Sequence, residues 1–212
     1  MKITKLGHSC ILIEEKGVKI LTDPGNYSMA QNNIKNIDII LITHQHQDHC
    51  DISSIKTILS NNPQGKIITN KSVSIILKKN EIESIVVENE QFFQEKEVPI
   101  EGFGKNHAII YTSIPVIQNI GYLINNKMFF PGDALIKPKK SIEILALPVY
   151  APWMRISEAI DYAIELKPKV CIPIHDGILK NQNFAYPIII QALNEKKIKF
   201  IICEIKEKYN ID

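Results

Sequence analysis

The segment Thr43-His44-Gln45-His46-Gln47-Asp48-His49 gathers three imidazoles and a carboxylate within seven residues. Imidazole and carboxylate are the nitrogen and oxygen ligands of zinc, manganese and iron, so this run is a candidate metal loop. His44 and His46, two apart, can converge on one ion. Asp48 and His49 are adjacent and leave the backbone in different directions, so they can serve a second ion a few ångströms away. A lone histidine is more often packed or solvated than ligating. Three beside a carboxylate at the end of an apolar run leave polar groups that are costly to bury unless a cation gathers them.

The run that delivers these residues, Ile37 to Thr43, is β-branched and apolar and reads as a buried strand, a rigid base for a metal loop. Similar short runs predict strands at Ile3 to Leu6, Cys10 to Ile13, Val18 to Thr22, Lys66 to Thr69, Ser84 to Val87 and Ala108 to Ser113. They continue at Gly121 to Ile124, Lys127 to Phe130, Ile142 to Leu147, Val170 to Ile174 and Phe200 to Cys203. Amphipathic spacing and caps predict helices over Ser53 to Leu59, Ser72 to Lys79, Ser157 to Leu166 and Pro187 to Lys196. This mixture, with meander-like strands at both ends of the chain, favours a layered α/β sandwich. No linker or fixed-period repeat divides it, so residues 1–212 read as one domain.

The chain has 212 residues, 45% of them hydrophobic, enough for a substantial core. Its net charge of +2 is spread evenly and marks neither a nucleic-acid nor a membrane partner. No apolar run approaches the roughly 18 to 20 residues of a spanning helix. The N-terminus lacks the apolar stretch and cleavage site of a secretory signal. Cys10, Cys50, Cys171 and Cys203 are far apart and read as buried free thiols, which suits a reducing cytoplasm.

Thr43-His44-Gln45-His46-Gln47-Asp48-His49 resembles the H-x-H-x-D-H signature of the metallo-β-lactamase superfamily. His107 after Gly102-Phe103-Gly104-Lys105-Asn106, Asp133 in Phe130-Pro131-Gly132-Asp133 and His175 in Cys171-Ile172-Pro173-Ile174-His175 follow in that family's order. Leu6-Gly7-His8-Ser9, Leu21-Thr22-Asp23-Pro24 and Asp51-Ile52-Ser53-Ser54-Ile55 resemble the small, uncapped hydrolases related to ascorbate-6-phosphate lactonase. The resemblance implies a four-layer αββα sandwich of two similar halves with two metal ions at one edge. It implies that His44, His46 and His107 hold the first ion, that Asp48, His49 and His175 hold the second, and that Asp133 bridges them. Ala134 and Asp176 depart from the family's usual hydroxyl and aromatic residues at those places.

Two divalent ions, zinc before manganese or iron, held roughly 3.5 to 4 Å apart would lower the pKa of a shared water toward about 7. The expected activity is therefore hydrolysis of a lactone, ester or phosphodiester bond in a small molecule by a metal-bridging hydroxide, with Asp48 and Asp133 catalytic. His8, Trp153 and Arg155 are the candidate substrate contacts, Arg155 because it is the chain's one arginine and a natural clamp for an anion. Asp23 is the candidate brace of the metal loop. The competing readings are an iron-binding redox or oxygen-handling protein, a noncatalytic metal-binding module and a nuclease, the last disfavoured by the modest charge.

Overall fold

Strand β4 (Ile39–Ile42) is apolar at every position because both of its faces are covered. Ile39 and Leu41 enter one apolar cluster and Ile40 and Ile42 another, the alternation that a pleated strand imposes. The computed structural model in which this is seen describes residues 1–211, apart from the side chain of Asn183.

Two seven-stranded sheets form. The first runs in the order β14 (Lys208–Asn210), β1 (Lys2–Gly7), β2 (Cys10–Glu15), β3 (Val18–Thr22), β4, β5 (Lys66–Thr69), β6 (Ile85–Val86). The second runs β13 (Lys199–Phe200), β12 (Val170–Ile174), β11 (Ile144–Pro148), β10 (Met128–Phe130), β9 (Gly121–Ile124), β8 (Val98–Phe103), β7 (Phe92–Glu95). Each sheet joins three antiparallel pairings to three parallel ones. The chain thus lays down two similar halves.

Three apolar clusters make the layers. Between the sheets lie Ile3, Leu41 and Ile68 of the first and Tyr122, Phe130 and Ile172 of the second. Helices α1 (Ile52–Asn61) and α2 (Lys71–Lys79) cover the outer face of the first sheet through Ile55, Ile58, Val73 and Leu77. Helices α3 (Ile156–Leu166) and α4 (Gln182–Glu195) cover the second through Tyr162, Ala163, Ile189 and Leu193. The result is the four-layer αββα sandwich. Asp51 caps α1 by accepting from Ser54 N at 2.8 Å, and Asn70 caps α2 by accepting from Val73 N at 3.0 Å.

Several sequence-based expectations need correction. Ala108 to Ser113 is not a strand: it leaves His107 as a loop pinned only at its base, with no neighbouring strand to pair with. Strands β7 and β8 form a hairpin that polar Gln94 and Glu95 and the in-strand Pro99 concealed. The polar edge strand β14 was equally hidden. Helix α4 begins five residues before Pro187, whose missing N–H costs one bond near the helix start. Phe200 to Cys203 is strand only at Lys199–Phe200. Among the described residues no helix is long and apolar enough to cross a membrane.

Candidate metal centre

The ends of β3, β4, β10 and β12 and the turn after β1 meet at one edge, between the sheets. Ile120 N donates to Thr43 O at 3.1 Å and His175 N to His8 O at 3.2 Å, so loops from both sheets are tied together there. Gly132 has φ +65°, and a Cβ would stand 2.7 Å from the Thr43 side chain. Only glycine lets the second sheet's Asp133 loop approach the first sheet so closely. Gly25 plays the same part beneath the metal loop, where a Cβ would fall 1.8 Å from Asp48 O.

The edge brings together all six histidines with three aspartates. One group whose ligand atoms lie within 4.8 Å of one another is His44, His46, His107 and Asp133; another is His8, Asp48, His49 and His175. Asp133 reaches both, its Oδ1 being 3.2 Å from His49 Nε2 and its Oδ2 2.9 Å from His175 Nε2 and 3.5 Å from His107 Nε2.

Hydrogen bonds fix which nitrogen each buried imidazole presents. His49 Nδ1 donates to Asp23 Oδ2 at 2.7 Å, His107 Nδ1 to Ala108 O at 2.6 Å and His175 Nδ1 to Tyr150 O at 2.6 Å. These partners only accept, so Nδ1 carries the proton and the Nε2 lone pair can face a cation. His44 reaches the same state by relay: the Thr43 hydroxyl donates to Asp23 Oδ2 at 2.7 Å and accepts from His44 Nδ1 at 3.0 Å. Nε2 of His44, His49 and His107 and Oδ1 of Asp133 are buried without a hydrogen-bond partner. Buried polar atoms are rarely left so, and this donor set fits a metal ion.

Electrostatics agree. Burial pushes the His44 imidazole well below its usual range, with His49 adding to the effect, which leaves it neutral. Burial opposes charge on His49 too, but Asp133 and Asp23 outweigh it and raise its pKa well above normal. Burial disfavours the Asp133 anion, yet His49 and His175 hold its carboxyl well below the usual carboxylate range. The spot beside Asp133 demands positive charge, which a proton or a metal ion satisfies.

Asp23 is fully buried and accepts three hydrogen bonds, the third from Thr43 N at 2.8 Å. It thereby braces His49 directly and His44 through Thr43. His8, Asp23 and His175 adopt φ of 32°, 36° and 58°, a left-handed backbone rare outside glycine and often found at functional sites.

His8 differs from the other histidines. Its Nδ1 accepts from Gly177 N at 3.1 Å, so its proton sits on Nε2 and is donated to Asp48 Oδ2 at 3.2 Å. In that state it offers an ion no lone pair, and at 1% exposed its ring is engaged with Asp48 at the edge of a cavity that it lines together with Tyr27. Burial raises the Asp48 carboxyl, but the His8 bond and the His49 charge bring it down to about 2. Trp153 Nε1 donates to Asp133 Oδ2 at 3.1 Å, and its ring lies 6.0 Å from that of His107 and 6.2 Å from that of His175. Arg155 is exposed at the start of α3, and no hydrogen bond or ion pair joins its guanidinium to the histidines among the described residues. Asp176 turns away to pair with buried Lys5 and accept from the Tyr186 hydroxyl, tying β1 to the exit of β12.

Sequence reasoning missed Thr43, the relay to His44, and Asn119, which is fully buried, accepts from Asp133 N at 3.1 Å and donates to Pro131 O at 2.9 Å. Thr43 had a signal in its place before His44; Asn119 had none.

Comparison with known proteins bears on this arrangement. The profile of the family described as Beta-lactamase superfamily domain matches residues 2–175. A Mycobacterium tuberculosis protein, Rv0786c, is 37% identical over 84% of this chain and 85% of its own length. A UPF0173 metal-dependent hydrolase of Thermoplasma acidophilum is 26% identical over 82% of this chain and 83% of its own. The solved structure of Igni18, a metallo hydrolase of Ignicoccus hospitalis, shares the fold with a TM-score of 0.76 at 20% identity, covering 100% of this chain and 99% of that one.

Proposed function

The chain belongs to the metallo-β-lactamase superfamily and is a metal-dependent hydrolase, and from that premise we propose a dinuclear enzyme that cleaves a lactone, ester or phosphodiester bond in a small molecule. The observation that carries the proposal is the set of buried, partnerless Nε2 and carboxylate atoms converging on either side of Asp133. His44, His46 and His107 would hold one ion, Asp48, His49 and His175 the other, and Asp133 both. Zinc suits this donor set, and manganese and iron share it. Bound ions would supply Lewis acidity toward the substrate oxygen and an acidified water.

The chain's own residues do the rest. Asp23, Thr43 and the carbonyls of Ala108 and Tyr150 keep the imidazoles in the ligating tautomer. Asp48, held ionised and 21% exposed, is the carboxylate of the centre best placed to pass a proton outward. Trp153 steadies Asp133 through its Nε1–H and presents its ring at the mouth, where it touches substrate. The Asp48 loop would be oriented by His8, and Arg155 stands outside the ring of ligating groups. Four buried free thiols suit a reducing, cytoplasmic setting.

Elemental analysis of protein purified without added metal, paired with lactone, ester and phosphodiester panels before and after chelation, tests the reading. About two equivalents per chain, with hydrolysis lost on chelation and restored by metal, is the expected result. Failure to take up metal on reconstitution overturns the assignment of the centre. Stoichiometric iron with visible absorption and no hydrolysis would overturn the hydrolase.

A further inference from the structure

Residues 106–126 contain no Asp, Glu, Lys or Arg, although charged residues make up 23% of the chain. Within this run, 108–117 form a flap that stands directly on the proposed ligand His107. Its base is closed by His107 N to Ile117 O at 2.9 Å and Ala108 N to Asp133 O at 2.9 Å, and its tip turns with Ile114 N to Tyr111 O at 3.0 Å. Ile109 is 67% exposed, Tyr111 64%, Ile114 46% and Val116 49%. Inside the flap, Ile110, Ile114 and Ile117 share a narrow crevice with His46 and His107, so the apolar surface runs to the edge of the metal centre.

The other walls match it. Trp153 stacks edge-on toward His107 and His175, and across the centre Tyr27 sits edge-on to His8 at 5.2 Å in the loop 24–34, which also carries no charge. Contiguous exposed apolar surface is uncommon on soluble proteins and marks a place where something apolar binds. Its continuity with the imidazoles identifies that something as part of the reacting molecule. A sugar phosphate would instead need guanidinium or ammonium groups beside it, and the flap 108–117 offers none.

Resting on the hydrolase reading above, we propose that the substrate is a small electrophile bearing an uncharged alkyl or aryl arm, which lies between the flap and Trp153. Ile109 and Ile114 grip the arm, and the metal centre receives the polar head.

The test uses the zinc-loaded protein and a series of straight-chain hydroxamic acids from acetohydroxamate to octanohydroxamate, whose head binds metal while only the arm grows. Trp153, the chain's one tryptophan, reports binding by its fluorescence. Each added methylene should tighten binding about two- to fourfold, the range from partial to full burial of a methylene. In Ile109→Asn with Ile114→Asn the ratio of octano- to acetohydroxamate affinity should fall toward one, acetohydroxamate being the armless reference within each protein. A flat series with acetohydroxamate bound, or a double variant that keeps the full slope, overturns the apolar arm and leaves the hydrolase standing. Absence of acetohydroxamate binding to metal-loaded protein overturns the metal centre and the proposal with it. A dimer in sedimentation that the double variant dissolves would assign the flap to a second copy and overturn the proposal as well.

Discussion

Replacing Asp23 by Asn keeps the shape of the side chain and reverses the sense of its hydrogen bonds. The carboxylate accepts from Thr43 N at 2.8 Å, Thr43 Oγ1 at 2.7 Å and His49 Nδ1 at 2.7 Å, all fully buried. An amide can keep the first as acceptor, but its NH2 then faces two donors. The least costly rearrangement lets the amide donate to His49 Nδ1 and Thr43 Oγ1, whose hydroxyl turns to donate to His44 Nδ1. Both imidazoles are then driven to carry their proton on Nε2, the atom a metal needs bare. Restoring the ligating tautomer leaves a buried donor unmet at each, at about 1–3 kcal/mol apiece. That agrees with the roughly 10- to 100-fold loss of affinity typical when a ligand's supporting partner is removed. Zinc competition against a chromophoric chelator should show both equivalents weakened by that order, because His49 and His44 fall in the two different four-residue groups, although they also meet each other at Asp23. Long-range proton–nitrogen spectra of the metal-free protein should show the Nδ1–H signals of His44 and His49 lost. Wild-type affinity at both sites, or retention of those signals in the variant, would refute the reasoning.

Two further outcomes follow from the protonation of buried groups. The Asp48 carboxyl is lowered from 3.8 to about 2; being depressed in the folded state, it stabilises the protein above pH 4, and that contribution is lost as pH falls through 2. It amounts to roughly 2 kcal/mol in metal-free protein, and urea unfolding at pH 5 and pH 2.5 should show Asp48→Asn losing about 1.5 kcal/mol of the pH dependence, the part that disappears before pH 2 is reached, with an unchanged dependence counting against the His8 and His49 contacts. Burial holds the Cys50 and Cys171 thiols at about 12 and that of Cys203 at about 11, and pushes Cys10 well above its usual value; iodoacetamide at pH 8 should label none of the four in the native protein within minutes and all of them after denaturation, and rapid native labelling would contradict their packing.

What the sequence revealed and what it hid divide along a physical line. Strands β4 and β12 were legible because both faces are buried, leaving an unbroken apolar run that stops at His44 and at His175. The cluster proposed as a metal loop stood out because its donors are adjacent in the chain. The flap was misread as a strand because Ile109, Ile110 and Tyr111 carry β-forming side chains, and only tertiary context tells a paired run from an unpaired one. His8 could not be placed, since its tautomer is set by Gly177 N, 169 residues away. The same holds for Trp153, whose partner Asp133 lies 20 residues back across the cleft. Local chemistry is written locally; the state of each imidazole is written in the far ends of other strands.

That dependence makes the centre a seam as well as a site. Thr43 O takes a hydrogen bond from Ile120 N, and Asn70 Nδ2 donates to the same oxygen at 2.7 Å, so the residue that sets the His44 tautomer also joins the two sheets. His175 N reaches His8 O across the same gap. Asp133 is 2% exposed and anionic, and burying an anion is tolerable only beside matching positive charge. In metal-free protein protons on His49 and His175 provide that charge, which is why both are raised. His49 and His175 would have to give up those protons to hold a metal ion, so its affinity should fall as pH falls. Because the displaced protons and the arriving ion both hold Asp133 between the sheets, whatever occupies the centre also stabilises the edge at which the two halves meet.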